Sequence, residues 1–259
     1  MKRVLVVDGG SAYGFFHRMN DEVVMAYVGM GYYVTRCDCR LNPELYASLI
    51  KHRWDIIFSE NGVGFCPMVN CGVFYSVCMD DPRAVPITAE KKITWLYVIE
   101  DHGEHLPKSA IKVSAYGFSP FRPLKKKRNG LMLAAMTIDS ERVGIIDQYI
   151  TETGIGVDVV GNDPYELINP CSSWNYLGTG TIYDTLRIID DYSYYFCPIY
   201  FPDAIHDRVL TAYLHGLIPV IVKQSEKFDH TKRGVLIDPD LGKYMTIGHM
   251  IKELERNGR

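Results

Sequence analysis

Short runs of β-branched and aromatic residues alternate with stretches whose apolar positions recur every three to four residues, in the first half of the chain and again in the second. Such alternation is the pattern of parallel sheets covered by helices on both faces. In the first half, strands are predicted at Val4–Asp8, Tyr33–Cys37, Asp55–Ser59, Val73–Met79, Ile93–Ile99 and Ile111–Ala115. Helices fit near Asn20–Met30 and Pro43–His52. Pro43 suits a first helical turn, and Gly29-Met30-Gly31 suits a helix end. The second half is predicted as strand Leu131–Met136, helix Ser140–Thr153, strand Val157–Val160, helix Ile182–Asp191, strand Tyr194–Pro198, helix His206–His215, strand Ile218–Val222 and helix Thr246–Arg256.

Between the two patterns the composition changes. Ser119-Pro120-Phe121-Arg122-Pro123 is followed by Leu124-Lys125-Lys126-Lys127-Arg128-Asn129-Gly130, and prolines beside a run of cations read as a linker. The chain is therefore expected to be α/β with two Rossmann-like domains, residues 1–122 and 123–259. With 259 residues, 47% of them hydrophobic, it is long enough for two cores.

A formal net charge of -3 argues against a protein held to nucleic acid by its overall charge. The basic run at 125–128 leaves a local phosphate-backbone contact open beside its reading as a solvated linker. The 7 cysteines are dispersed, and reduced thiols are the expected state. Cys37, Cys39, Cys66 and Cys71 are a conceivable metal set, but they lack the paired CxxC knuckles of a structural zinc site. Met1-Lys2-Arg3 leads into only one strand's length of apolar residues, too short for a secretory or membrane-spanning segment, so a soluble cytoplasmic protein is expected.

The stretch Phe196–Val222 carries the most chemistry. It reads as strand, polar loop, helix, strand, which puts the loop and the helix N-terminus at the carboxyl edge of a parallel sheet, where backbone N–H groups and the helix dipole favour a phosphate. His206 and Arg208 stand at that point, and a guanidinium there can bind a diphosphate bidentately. An isolated histidine at a helix start more often satisfies a local hydrogen bond, and His215 is better explained by the helix C-terminus. Arg142 opens a helix after the first strand of the second domain, and Lys223 follows the strand Ile218–Val222. Both are candidates to neutralise a departing diphosphate, with surface cations as the plain alternative.

In the first domain, Asp8-Gly9-Gly10-Ser11-Ala12-Tyr13-Gly14 follows the first strand, and its small residues, Gly10 and Ser11 among them, let backbone approach a ligand. It does not match GxGxxG, which leaves a dinucleotide oxidoreductase as a weak alternative. The acids and the histidine that follow strands, Glu60, Asp80, Asp81, Glu100, Asp101 and His102, are candidates for acid–base work, with Asp101 first and Asp80 behind it. Capping and turn roles compete for each. His102 with His105 hints at a metal, Trp174 at a stacking platform, although packing around strands is the commoner use of such an aromatic.

The order of motifs resembles the glycosyltransferases of the spore maturation protein CgeB-like group, related to the large retaining GT-B families. Asp139-Ser140-Glu141-Arg142 carries it, together with Pro202-Asp203-Ala204-Ile205-His206-Asp207-Arg208-Val209-Leu210-Thr211-Ala212, Gly216 and Pro219-Val220; Asp81-Pro82 adds to it in the first domain. The resemblance implies two domains facing a cleft, a nucleotide-sugar co-substrate, no other cofactor and no metal. It implies donor binding by Gly10, Ser11, Arg142, Asp203, His206, Arg208 and Lys223, and transfer to an acceptor hydroxyl with retention of configuration. The acceptor stays unnamed; a hydroxymethylated DNA base, which some phage GT-B enzymes modify, is one class, and glycans, proteins or small molecules are others. One departure matters: where many GT-B enzymes carry a second acid on the helix after the loop, this chain offers Thr211 and Ala212, and Asp203 or Asp207 stands in for the first acid. A catalytically silent binding or assembly module of the same fold is the competing class.

Overall fold

The computed structural model describes residues 1–9, 14–79, 82, 92–98, 100–125, 127–163, 166–167, 174–199, 207–223 and 246–257, with backbone alone at 100, 101, 198, 199, 222, 223 and 257. The chain packs as two compact units, Met1–Ala115 with Tyr244–Arg259, and Tyr116–Lys243. Each is built on a parallel sheet.

The first unit's strands are β1 (Arg3–Asp8), β2 (Tyr33–Asp38), β3 (Trp54–Glu60), β4 (Cys71–Val77), β5 (Ile93–Tyr97) and β6 (Ile111–Lys112), in the spatial order β2-β1-β3-β4-β5-β6. Helix α1 (Phe15–Gly29) links β1 to β2, α2 (Pro43–Leu49) links β2 to β3, and α3 (Glu100–His105) follows β5. Val4, Leu5, Val6 and Val7 are all fully buried, as a strand covered on both faces requires. At the edge, β2 is mostly half-exposed. The final helix, α7 (Ile247–Asn257), returns to this unit and packs on α1. Ile247, Met250, Ile251 and Leu254 form its buried stripe at helical spacing.

The second unit has β7 (Met132–Ala135), β8 (Val157–Val160), β9 (Asn175–Gly178), β10 (Tyr194–Ile199) and β11 (Ile218–Lys223), ordered β11-β10-β7-β8-β9. Its helices are α4 (Ser140–Thr153), α5 (Ile182–Ile188) continued by a 3-10 turn Ile189–Asp191, and α6 (Asp207–Leu214). The core beneath them gathers Met132, Ile138, Ile146, Tyr149, Val159, Trp174, Phe196 and Val220.

Beside the domain boundary expected at 122/123, two packing features stand out. Phe118 donates its backbone N–H to Thr211 Oγ1 at 3.0 Å, which joins residues 116–118 to α6, and α7 is tied to the first unit by Lys2 Nζ to Glu255 at 2.8 Å, Tyr32 Oη to Glu255 at 2.7 Å and Ser114 Oγ to Glu253 at 3.0 Å. Most predicted elements form within a few residues of their expected ends. The exceptions are α1, which starts at Phe15 ahead of the expected Asn20, and α3 and β9, which the pattern did not signal. No described helix is long and apolar enough to cross a membrane.

Candidate functional site

In the second unit the chain leaves β7 toward β8 on one side and leaves β10 toward β11 on the other. The carboxyl ends of these neighbouring strands thus form a topological switch point, where open parallel sheets bind ligands. At the exit of β7, Asp139 caps α4 by accepting the Arg142 N–H at 2.9 Å. The Arg142 guanidinium folds back over the same turn, Nη1 donating to the Thr137 carbonyl at 2.8 Å and pairing with Asp139 at 2.9 Å. A cation near a helix N-terminus is normally disfavoured by the dipole; Asp139 offsets it. At the exit of β10, Arg208 occupies the first turn of α6. Its charge acts on Tyr195 and Cys197 of β10: burial pushes both side chains up from their ordinary titration range, and the guanidinium partly offsets this. The two arginines therefore stand at the starts of the two helices that leave the switch point, the Arg142 guanidinium on its own turn and the Arg208 charge acting on buried side chains of β10.

Of the other donor-site candidates, Gly10, Ser11, Asp203 and His206 lie outside the described residues. Lys223 ends β11, in register with Ile199 at the end of β10, which puts its backbone at the carboxyl edge. Thr211 and Ala212, which stand where a second acid is common, are both buried. A Cβ at Gly117 would lie 2.5 Å from the Thr211 backbone nitrogen, so the segment before Phe118 lies directly on α6 and Thr211 is committed to holding it.

The first unit has its own switch point, between β1 and β3, and a buried polar network fills it. Asp8 ends β1, Glu60 ends β3, and both are about 1% exposed. Asn20 of α1 bridges them, its side-chain N–H donors reaching Asp8 Oδ1 and, at 3.2 Å, Glu60 Oε2. Glu60 Oε1 accepts the Gly9 N–H at 2.7 Å. Arg36 of β2 donates through Nε to Asp8 at 2.5 Å, through Nη1 to Asp21, and through Nη2 to the His17 carbonyl at 3.0 Å. Burial raises Glu60 to about 7, the bonds from Gly9 and Asn20 pull it back, and the Asp8 charge adds to the rise. Glu60 was a sequence candidate by its place after a strand. Asn20 and Arg36 were missed, because nothing local in an amphipathic helix or an edge strand says that two particular polar side chains turn inward to Asp8, which they share, with Glu60 as the second acid of one and Asp21 of the other.

The remaining candidates fall in less suggestive places. Asp80 lies outside the described residues; Asp101 is in α3, so the carboxyl edge of β5 is followed by a helix turn rather than the expected loop. His102 is buried while His105 is exposed, so the two face different surroundings. Trp174 is core, 6% exposed. Cys37, Cys39, Cys66 and Cys71 belong to or border the apolar core around Tyr46, and among the described residues no group of three His, Cys, Asp or Glu side chains is arranged to hold a metal. His215 pairs with Asp190 at 2.6 Å inside the second unit, and burial keeps it below its ordinary range against the pull of that acid. In the basic run Arg128 donates to the Tyr192 carbonyl at 2.7 Å and to the His215 carbonyl, so its cation is bound within the fold, whereas Lys125 makes an exposed surface pair with Asp191.

No family model matches the chain, and no curated protein matches it. Solved structures do. Anabaena HepE in complex with UDP-glucose superposes with a TM-score of 0.60 at 11% identity, over 99% of this chain and 95% of that one. The DNA modifying enzyme beta-glucosyltransferase, solved with and without uridine diphosphoglucose, gives 0.51 at 11% identity over 98% and 95%. An alpha-glucosyltransferase in complex with UDP and a 13-mer DNA containing a HMU base gives 0.54 at 9% identity over 98% and 90%. The two parallel α/β units have the fold of the GT-B glycosyltransferases.

Proposed function

We propose that the protein is a glycosyltransferase that moves a sugar from a nucleotide sugar, with UDP-glucose as the first donor to test, onto an acceptor hydroxyl. The observation that carries this is the second unit's switch point, with Arg142 at the start of α4 and Arg208 at the start of α6. Two helix N-termini at one sheet edge, each with an arginine in its first turn, suit a nucleoside diphosphate. As the glycosidic bond breaks, charge grows on the leaving diphosphate, and fixed cations stabilise that charge more than they stabilise the intact donor. The UDP and UDP-glucose complexes of proteins with this fold support the reading. His206, Asp203 and Lys223 complete the second unit's donor candidates in this proposal; in the first unit Gly10 and Ser11 are donor-binding candidates, and Asp101, with Asp80 behind it, is the candidate for acid–base work on the acceptor hydroxyl. Transfer is retaining and independent of a metal, consistent with the CgeB-like resemblance of Asp139–Arg142 and the 202–212 segment.

For the acceptor, a modified DNA base is favoured by the DNA-modifying enzymes of like fold; in the basic run Arg128 is taken up by carbonyls of the fold, while the exposed pair of Lys125 with Asp191 leaves a phosphate contact open there. A second reading, a silent nucleotide-binding module, draws on the burial of Thr211 where a second acid is common. The test is calorimetric titration with UDP and UDP-glucose, followed by release of UDP from UDP-glucose, with and without EDTA. Arg208→Ala is expected to weaken UDP binding by roughly 10- to 100-fold, the loss of about 1.5–3 kcal/mol for a charged hydrogen bond, while Arg187→Ala on the exposed face of α5 leaves it unchanged. Binding without UDP release in any acceptor screen would leave the silent module standing; no binding of either ligand would remove both readings.

A further inference from the structure

One side chain ties the end of β1 to the body of α1. Glu60 reaches across from the end of β3 to the Gly9 N–H, where the chain leaves β1, and to Asn20 in the body of α1. We propose that Glu60 is a positioning residue for Gly9 and Asn20: its carboxylate pins both at the first unit's switch point, and taking up a proton loosens the pin. The inference rests on the reading that this carboxyl edge meets substrate during glycosyl transfer.

The surroundings decide how readily the pin is discharged. From β1, Asp8 faces Glu60 with a like charge and is itself engaged by Arg36 of β2, whose Nη1 is taken by Asp21 of α1. Among the described residues Cys39, just after β2, also lies within electrostatic reach. Arg36 is thus spent on Asp8 and Asp21, and the bonds that favour the Glu60 carboxylate come from Gly9 and Asn20. A charge-assisted bond to a backbone N–H weakens when the acceptor is neutralised. Burial, opposed by those two bonds, puts this event at about 7, inside the range over which an enzyme is assayed.

The experiment follows the Gly9 amide resonance of the full-length protein from pH 5 to pH 9, in wild type, Glu60→Gln and Asn20→Ala. Wild type is expected to show a step near pH 7. Glu60→Gln should abolish it, and Asn20→Ala should move it upward by removing a bond that favours the charged form. Absence of the step in wild type, or its persistence in Glu60→Gln, overturns the proposal; should Glu60→Gln not fold, an unmoved step in Asn20→Ala overturns it instead. With UDP-glucose, kcat/KM of wild type should fall about tenfold from pH 8 to pH 6, as a single group titrating near 7 requires, and that limb should flatten in Glu60→Gln. A Gly9 step with no turnover of UDP-glucose would keep the pin and sink the transferase reading, whereas turnover without a Gly9 step would do the reverse.

Discussion

Glu60 carries its charge where burial opposes it. A carboxyl group whose folded titration point lies at about 7 instead of 4.5 binds its proton more tightly in the folded than in the unfolded chain. The sign follows: this residue's contribution favours the fold at low pH and is lost as pH rises from about 4.5 to about 7, after which it stays constant. Over that window the loss amounts to at most about 3 kcal/mol at 1.36 kcal/mol per unit. Glu60→Gln is neutral throughout, so the stability of wild type relative to the variant should decline between pH 5 and pH 8 in urea melts, and a flat difference would show that the carboxyl group is more solvated than its burial implies. A buried charge that weakens the fold at neutral pH fits a residue held for what its carboxylate fixes in place.

At the scale of single elements, the exit of β7 depends on a close approach from β8. A Cβ at Gly161 would lie 1.7 Å from the Met136 carbonyl oxygen, so the backbone there has to move for any larger residue. Met136 N–H bonds the Val160 carbonyl at 3.1 Å and Ile138 N–H the Asn162 carbonyl at 2.8 Å, and these bonds lead directly into Asp139 and Arg142. Gly154, by contrast, ends α4 at φ 67 with open space around it. Gly154→Ala should therefore lower stability by about 1 kcal/mol through backbone strain and leave UDP affinity alone. Gly161→Ala should cost about 1–3 kcal/mol and weaken UDP binding as well, because it displaces the turn that carries Arg142; paired denaturation and calorimetry on the two variants separates the cases. The same elements show what was legible in the sequence. Helix α4 was read at its true ends because Asp139 and Gly154 bracket it with a cap at each side. Strand β9 escaped notice because it is a short edge strand with alternating exposure, and α3 because Glu100–His105 has no apolar period. The internal role of Arg128 was illegible too, since a cation run looks alike whether its cations stay in solvent, as Lys125 does, or are taken up by carbonyls of the fold.

For the whole molecule, the second unit is inserted between the body of the first and its last helix. The amphipathic pattern predicted α7 but could not name its partner, since an apolar stripe is satisfied by any complementary face. In the fold it covers α1, burying Ile247, Met250, Ile251 and Leu254, while Glu255 collects Lys2 and Tyr32 from the opposite end of the chain. Four such side chains at about 1.5–3 kcal/mol each contribute roughly 6–12 kcal/mol, comparable to the entire stability of an ordinary domain. The exposed ion pair of Lys2 adds little beside that. Ending the chain after Lys243 should therefore unfold the first unit although every residue of its sheet remains. Hydrogen exchange should show β1, β3 and β4 losing protection while β7, β8 and β10 keep theirs, and Met250→Ala with Ile251→Ala should give a graded version of the same loss. Retained protection of β1 in the truncated chain would mean that the six-stranded sheet closes its core without α7, and the contribution assigned to that stripe would have to be reduced accordingly.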